Sequence, residues 1–162
     1  MLYIFDLDHT TIDSSHRSHT LEGGALNLDA WRENSTPEKI ALDRLLPLGE
    51  QWRDMVARGL DGTSVQIAII TARVMGAADL QYLDDNGLHY DFIYSRNEGD
   101  NSPDYALKRI ALYNLARDMG VSMRFLQNFA WFYDDNLDVI DMGCSLGINM
   151  VNSTLYNQKA SK

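Results

Sequence analysis

Apolar residues in this chain follow two rhythms. Short continuous runs, β-branched and aromatic, alternate with longer stretches in which apolar positions recur at helical spacing. The first run, LYIFDL from Leu2 to Leu7, reads as a buried strand ending among carboxylates. Further strands are predicted at Val65–Ile70, Asp91–Tyr94, Phe129–Tyr133 and Ile148–Val151, and the apolar run from Phe125 to Phe132 reads as buried sheet. Helical patterns lie between them. One starts at Pro37, with Thr36 as N-cap, and passes through Ile40, Leu45 and Trp52 to about Arg58, kinked near Pro47. A second spans Ala77–Asn86 and closes on Gly87. A third is capped by Ser102, carries Pro103 and Asp104 in its first turn and runs to about Met119, and a fourth covers Leu137–Leu146.

Two segments show neither rhythm. From Ser14 to Thr36 the chain is polar, with Gly23-Gly24 as a turn, and is expected to form a flap or small cap insertion with a short helix near Leu28 to Trp31. The loop from Gly59 to Ser64 separates helix from strand, and the polar tail beyond Thr154 is expected to fray. Strands alternating with helices imply an α/β fold, a Rossmann-like parallel sheet sandwiched by helices, in a single domain over residues 1–162. Ligands in such sheets sit beyond the carboxyl ends of the strands. That rule gathers Asp6, Asp8, Thr71, Arg73, Lys108, Asp134 and Asp135 around one crevice.

Composition narrows the reading. Cys144 is the only cysteine, so neither an intrachain disulfide nor a thiolate metal site is available, which fits a reducing, cytoplasmic setting. The opening MLYIFDLD lacks the basic start of a secretory signal, and no run approaches the roughly 18 apolar residues of a membrane span. With 23 acidic against 14 basic side chains the formal charge is −9. That argues against extended tracking along nucleic acid, which needs a basic face. It leaves room for a short nucleic-acid end held by a few arginines.

A phosphate monoester entering a crevice of carboxylates is repelled unless a divalent cation bridges them. Magnesium suits such oxygen ligands, and Asp6 and Asp134 are natural donors, joined by Asp135. Asp6 can then attack phosphorus to form an aspartyl-phosphate. Asp8, two residues further along an extended strand, falls on the same side and is positioned to protonate the leaving oxygen and then activate water. Thr71 and Lys108 would bind the transferring oxygens. Singly, Thr71 reads as a helix cap, Lys108 as a solvated side chain and Asp134-Asp135 as a helix start. Their joint occurrence at the expected sheet positions is what points to chemistry. Around the mouth, Thr71, Ala72 and Arg73 form a substrate-binding strand end. Arg17, Arg73 and Arg96 are candidates for a second phosphate or a base edge, each otherwise a surface or ion-paired arginine, and Arg32 reads better as the latter. His9, His16 and His19 have neither a helical His-x-x-x-His spacing nor a cysteine partner, which argues against zinc. Tyr90, Phe92 and Tyr94 read as strand and core aromatics rather than base-stacking platforms.

Four segments, FDLDHTT (Phe5 to Thr11), IITAR (Ile69 to Arg73), Lys108 within SPDYALKRI, and FYDDN (Phe132 to Asn136), together resemble the haloacid dehalogenase superfamily of phosphohydrolases. The resemblance implies magnesium as cofactor, Asp6 as nucleophile and metal ligand, and Asp8 as acid/base lending its backbone carbonyl to the metal. It implies Thr71 and Lys108 as phosphate holders, and Asp134 as an acidic metal ligand supported by Asp135. Superfamily members without an acid at the Asp8 position, such as ion-pumping ATPases, keep the phosphoryl-enzyme longer, so this chain is expected to hydrolyse it rapidly. His9 stands where glycine is usual, and either crowds the turn or contacts substrate. A narrower resemblance, in Arg96, Gly99-Asp100, Asp104 and Lys108 and in the stretch Asp134 to Val151, is to the 3′-phosphatase domain of bacteriophage polynucleotide kinase. No GxxxxGK[ST] phosphate loop accompanies it. The expected substrate is therefore a nucleotide or the 3′-phosphate end of a polynucleotide. Two other readings are a phosphatase of a small phosphometabolite and a silent phosphate- or metal-binding module, the latter disfavoured by the complete residue set. A subunit docked on a protein partner that supplies kinase activity is a further alternative.

Overall fold

The computed structural model describes residues 1–17, 28–59 and 65–161. His19, the Gly23-Gly24 turn and positions 60–64 lie outside the described residues. The first half of the chain holds β1 (Leu2–Phe5), β2 (Ile12–Asp13), α1 (Leu28–Glu33), α2 (Pro37–Ile40), β3 (Arg44–Leu45), α3 (Pro47–Ala57), β4 (Gln66–Ile70) and α4 (Ala77–Asp85). The second half holds β5 (Phe92–Tyr94), α5 (Asp104–Asp118), α6 (Met123–Phe129), β6 (Ala130–Asp134), α7 (Leu137–Ser145), β7 (Asn149–Asn152) and α8 (Ser153–Ala160).

Five strands form one sheet in the order β5-β4-β1-β6-β7, each neighbouring pair parallel. This is the Rossmann-like α/β sheet that the strand–helix alternation predicts. Parallel strands covered on both faces are apolar throughout, which is why Ile67 to Ile70 are all buried. Alternate side chains feed two cores. Leu2, Ile4, Ala68 and Ile70 pack with Leu112 and Leu115 of α5, Leu126 of α6 and Val139 of α7. Phe5, Ile67 and Ile69 pack with Ile40 of α2, Leu48 and Trp52 of α3 and Leu83 of α4. Full burial of each such side chain contributes roughly 1.5–3 kcal/mol, so the sheet holds the central strand β1 rigidly. Among the described residues, no helix is long and apolar enough to cross a membrane.

The structure departs from the sequence expectations in four places. The predicted kinked helix from Pro37 to Arg58 is two helices, α2 and α3, separated by β3, which pairs antiparallel with β2. Pro47 disfavours helical backbone at the residue before it, and Leu46 is extended (φ −81°, ψ 165°), so the chain restarts rather than kinks. Thr36 makes no side-chain cap, and α5 takes Pro103 rather than Ser102 as its N-cap. The apolar run Phe125 to Phe132 is not all sheet, since Met123–Phe129 is helix α6 and Phe129 and Trp131 are exposed. The tail does not fray: Ser153–Ala160 is helix α8, opened by the Asn152 side chain accepting from the Leu155 N–H.

Helix α8 is held by polar contacts that no hydrophobic pattern reveals. Asn157, buried, accepts from the Leu48 N–H (2.9 Å) and donates to the Thr10 carbonyl (3.0 Å). Ser153 Oγ lies 2.9 Å from Thr10 Oγ1. The loop after β1 is thereby pinned to the far end of the chain. Replacing Asn157 by alanine strands a buried N–H and a carbonyl, and should destabilise the protein by about 1–3 kcal/mol. Urea denaturation measures this, and an unchanged midpoint would mean that α8 is only loosely attached.

Candidate active site

Strand β1 ends at Phe5, but the Asp6 N–H still donates to Tyr133 O (3.1 Å), so Asp6 sits one step beyond the sheet. The chain then turns tightly. The Leu7 carbonyl accepts from the N–H groups of Thr10, Thr11 and Ile12, and Thr11 Oγ1 donates to Asp6 O (2.9 Å). Asp8 therefore lies in a turn, bridged to Ile12, and strand alternation is not what brings it beside Asp6. His9 has φ 58°, in the left-handed region that costs an L-residue roughly 1–2 kcal/mol. Glycine is the residue such a turn favours. The exposed His9 also lines the crevice. On the other side of the turn, α3 starts against Thr11. Leu46 N–H donates to Thr11 O (2.9 Å), and a Cβ on Gly49 would overlap that carbonyl oxygen.

A cavity of about 140 Å³ opens above these strand ends. Asp6, Asp8, Thr71, Ala72, Arg73, Arg96, Lys108 and Asp135 all line it. Asp134 sits beneath, fully buried. Lys108 reaches in from α5 with Nζ 2.9 Å from Asp6 Oδ1 and 2.8 Å from Asp134 Oδ2, and is itself 2% exposed. It is not the solvated lysine that its helix position alone suggests. Carboxylate oxygens of Asp6, Asp134 and Asp135 lie within 4.8 Å of one another.

Burial pushes the Asp6 pKa up to about 7, with Lys108 opposing the shift and Asp134 and Asp8 adding to it. Burial also raises Asp134 and Asp135 above the ordinary carboxyl value. For Lys108, burial opposes the charge, but the Asp6 and Asp134 carboxylates overcome it and raise the pKa above that of an ordinary lysine.

A second charged cluster flanks the cavity. Arg73 binds Asp8 through Nε (3.1 Å) and Nη2, Asp79 through Nη1 (2.7 Å), and approaches Asp43 (3.5 Å). Ser14 Oγ donates to Asp8 (2.6 Å). Burial alone would raise Asp8, but Arg73 and Ser14 hold it below the ordinary carboxyl value. Arg17 stands behind this cluster, fully buried, bound through Nε and Nη2 to Asp43 (3.0 and 2.6 Å). It is not among the residues that line the cavity. Arg96 lines it but spends its guanidinium on Ala72 O, Asp100 O, Ser102 O and Asp104 Oδ1. Its spacing to Asp100, Asp104 and Lys108 ties a loop to the start of α5.

Trp31, which the sequence reading did not single out as a site residue, lines the cavity as well. Arg17 stacks over its ring at 4.6 Å and Arg73 lies at 5.9 Å. Asn136 and Asp104 complete the lining. A signal for Trp31 existed in the pairing of a tryptophan with nearby arginines, but only the tertiary fold tells that they meet. Among the described histidines, His16 bonds Lys39 O (2.9 Å) and lies 3.5 Å from Asp43, away from the carboxylate cluster.

A parallel α/β sheet that delivers a DxD turn, a threonine, a lysine and a second acidic pair to one crevice defines a haloacid dehalogenase-type phosphatase. The sequence model of the bacteriophage T5 5′-deoxynucleotidase family matches residues 1–161, and the chain belongs to that family. No curated protein matches the chain in sequence. Solved structures share the fold. A haloacid dehalogenase-like hydrolase from Streptococcus pneumoniae superposes with TM-score 0.63 at 14% identity, over 97% of this chain and 90% of its own. A haloacid dehalogenase-superfamily hydrolase of subfamily IA from Geobacter sulfurreducens gives TM-score 0.63 at 14% identity, over 92% and 86%. A chain of the Pnkp1/Rnl/Hen1 RNA repair complex gives TM-score 0.55 at 17% identity, over 92% of this chain but 40% of that one.

The raised carboxyls set a pH dependence. A folded-state pKa above the unfolded value means that the folded protein binds protons more tightly, so stability falls as pH rises through about 7. Asp8, shifted the other way, loses its contribution only below the ordinary carboxyl range. Metal-free protein should therefore melt at a lower temperature at about pH 8 than at about pH 5.5, and Asp6→Asn should flatten much of that slope. Scanning calorimetry across this range decides, and a melting temperature that climbs with pH would contradict the assignment.

Proposed function

We propose that the chain, as a single catalytic domain, hydrolyses deoxynucleoside 5′-monophosphates with magnesium, through an aspartyl-phosphate on Asp6. The observation that carries this reading is the meeting of Asp6, Asp134 and Asp135 within 4.8 Å of one another, beside a buried Lys108. The family description supports the substrate class. An all-oxygen donor set of three acids fits a hard divalent cation, and Asp6, Asp134 and Asp135 would hold it, with the Asp8 backbone carbonyl. Bound magnesium would neutralise these carboxylates and polarise the phosphoryl oxygens.

The chain's own residues then divide the work. Lys108 and the Thr71 hydroxyl bind the non-bridging phosphoryl oxygens and stabilise the charge that spreads over them. An Asp6 oxygen attacks phosphorus, the bond from phosphorus to the 5′ oxygen breaks, and Asp8 gives that oxygen its proton. The nucleoside leaves. Water next attacks the phosphorus of the aspartyl-phosphate while Asp8, now a carboxylate, takes its proton. Inorganic phosphate departs and Asp6 is restored. Arg73 keeps Asp8 ionised in the ligand-free site, the form needed for the second half. Negative charge on the arriving phosphate raises the proton affinity of Asp8 for the first half.

A mononucleotide is preferred over a polynucleotide 3′ end because Arg96 and Arg17, the residues expected to grip a nucleic-acid end, are already committed to protein partners. Phosphate release from a panel of 5′- and 3′-mononucleotides, 3′-phosphorylated oligonucleotides and sugar phosphates tests the substrate. Deoxynucleoside 5′-monophosphates should lead, and selective release from the oligonucleotides would restore the end-healing reading. Asp6→Asn should lower turnover on the order of a thousandfold or more with an unchanged circular-dichroism spectrum. Asp8→Asn should slow release and retain labelled phosphate on the protein after acid quench; wild-type rates there would assign the proton transfers elsewhere.

A further inference from the structure

The catalytic cavity, about 140 Å³, suits a phosphoryl group but is small for the nucleoside attached to it. A second cavity of about 220 Å³ adjoins it, and the two share Trp31, Ala72 and Arg96 as a common wall. Together they reach the lower end of the roughly 300–1,000 Å³ typical of small-molecule sites. We propose that this second cavity is the base subsite, with Trp31 and Val74 as its apolar walls and Glu98 as the acceptor that reads the base. The inference rests on the nucleotide reading above and deepens it.

Each wall has a physical reason to serve. Trp31 is 8% exposed yet borders both cavities, and the Arg17 and Arg73 guanidiniums over its ring fix its orientation. A preset aromatic wall loses little entropy when a base packs on it. Ala72 has a small side chain, and its carbonyl is taken by Arg96 Nε (2.8 Å), so the partition between the cavities is low and leaves no bare acceptor. Val74 adds apolar surface on the same strand end.

The rim supplies the reading groups. Glu98 is exposed and makes no hydrogen bond or ion pair among the described residues. Its carboxylate accepts from the exocyclic amino group of a base, as carboxylates do from the cytosine amino group. Arg32 lies on the same rim, with Nη2 bonded to Asn101 Oδ1 (3.0 Å). The larger cavity of about 550 Å³ beside Tyr3, Phe5 and Trp52 shares no lining residue with the catalytic one and cannot hold a base joined to that phosphate.

The test compares kcat/KM of the full chain with magnesium on the four deoxynucleoside 5′-monophosphates and on deoxyribose 5-phosphate, which lacks a base. Wild type should favour the nucleotides by about tenfold or more, mainly through KM. Val74→Trp, which fills the second cavity, should bring the two substrate kinds near parity. Glu98→Ala should lower kcat/KM for the amino-bearing bases relative to the thymine nucleotide. Equal wild-type use of nucleotide and deoxyribose 5-phosphate overturns the subsite while leaving the phosphatase reading intact. Failure to hydrolyse any nucleotide, with release from other esters, overturns the nucleotide reading and the subsite with it. Should Val74→Trp not fold, the exposed Glu98→Ala decides: unchanged discrimination among bases overturns the proposal.

Discussion

The structure turns on keeping negative charge buried at the edge of an apolar sheet. Asp6, Asp134, Asp43 and Asp79 are all removed from water, and each meets a cation that is itself buried. Lys108 is shared by Asp6 and Asp134, and Arg73 by Asp8, Asp79 and Asp43, while Arg17 is bound, among the described acids, to Asp43 alone. Uncovering one buried charge by deleting its partner costs about 3–5 kcal/mol, which couples the integrity of the crevice to that of the fold. Residues of both clusters line the cavity. One brings Asp6 and Asp134 onto Lys108, and the other holds Asp8 below the ordinary carboxyl value through Arg73.

The sheet supplies the positions and the loops supply the orientation. β1 carries Asp6 to the crevice from the centre of the sheet, β4 carries Thr71 and β6 carries Asp134. Asp8 owes its place to a turn whose carbonyls and hydroxyls are tied to α3 and α8. His9 completes that turn in a conformation glycine would adopt without strain, which indicates that the surrounding bonds outweigh its local cost.

Much of this was legible in the sequence. Strands that bring Asp6, Thr71 and Asp134 to their carboxyl ends follow from apolar runs whose period is independent of tertiary context, and the parallel topology then gathers those ends. The break at Leu46 was not legible, because a proline can kink a helix or end it, and the pairing of β3 with β2 decided which. Helix α8 was missed because it is anchored by Ser153 and Asn157 rather than by an apolar stripe. The arginines were the hardest. Arg17 and Arg96 look alike as phosphate ligands and as ion-pair partners, and only the positions of Asp43 and Asp104 separate the two roles.

Thr10 bonds to Ser153 and Asn157 across 143 and 147 residues of chain. The turn that orients Asp8 thus depends on contacts of very long sequence separation, the kind that close slowly in folding. The same bonds hang on a helix of eight residues. The orientation of Asp8 is thereby tied to the docking of one short helix as well as to the sheet.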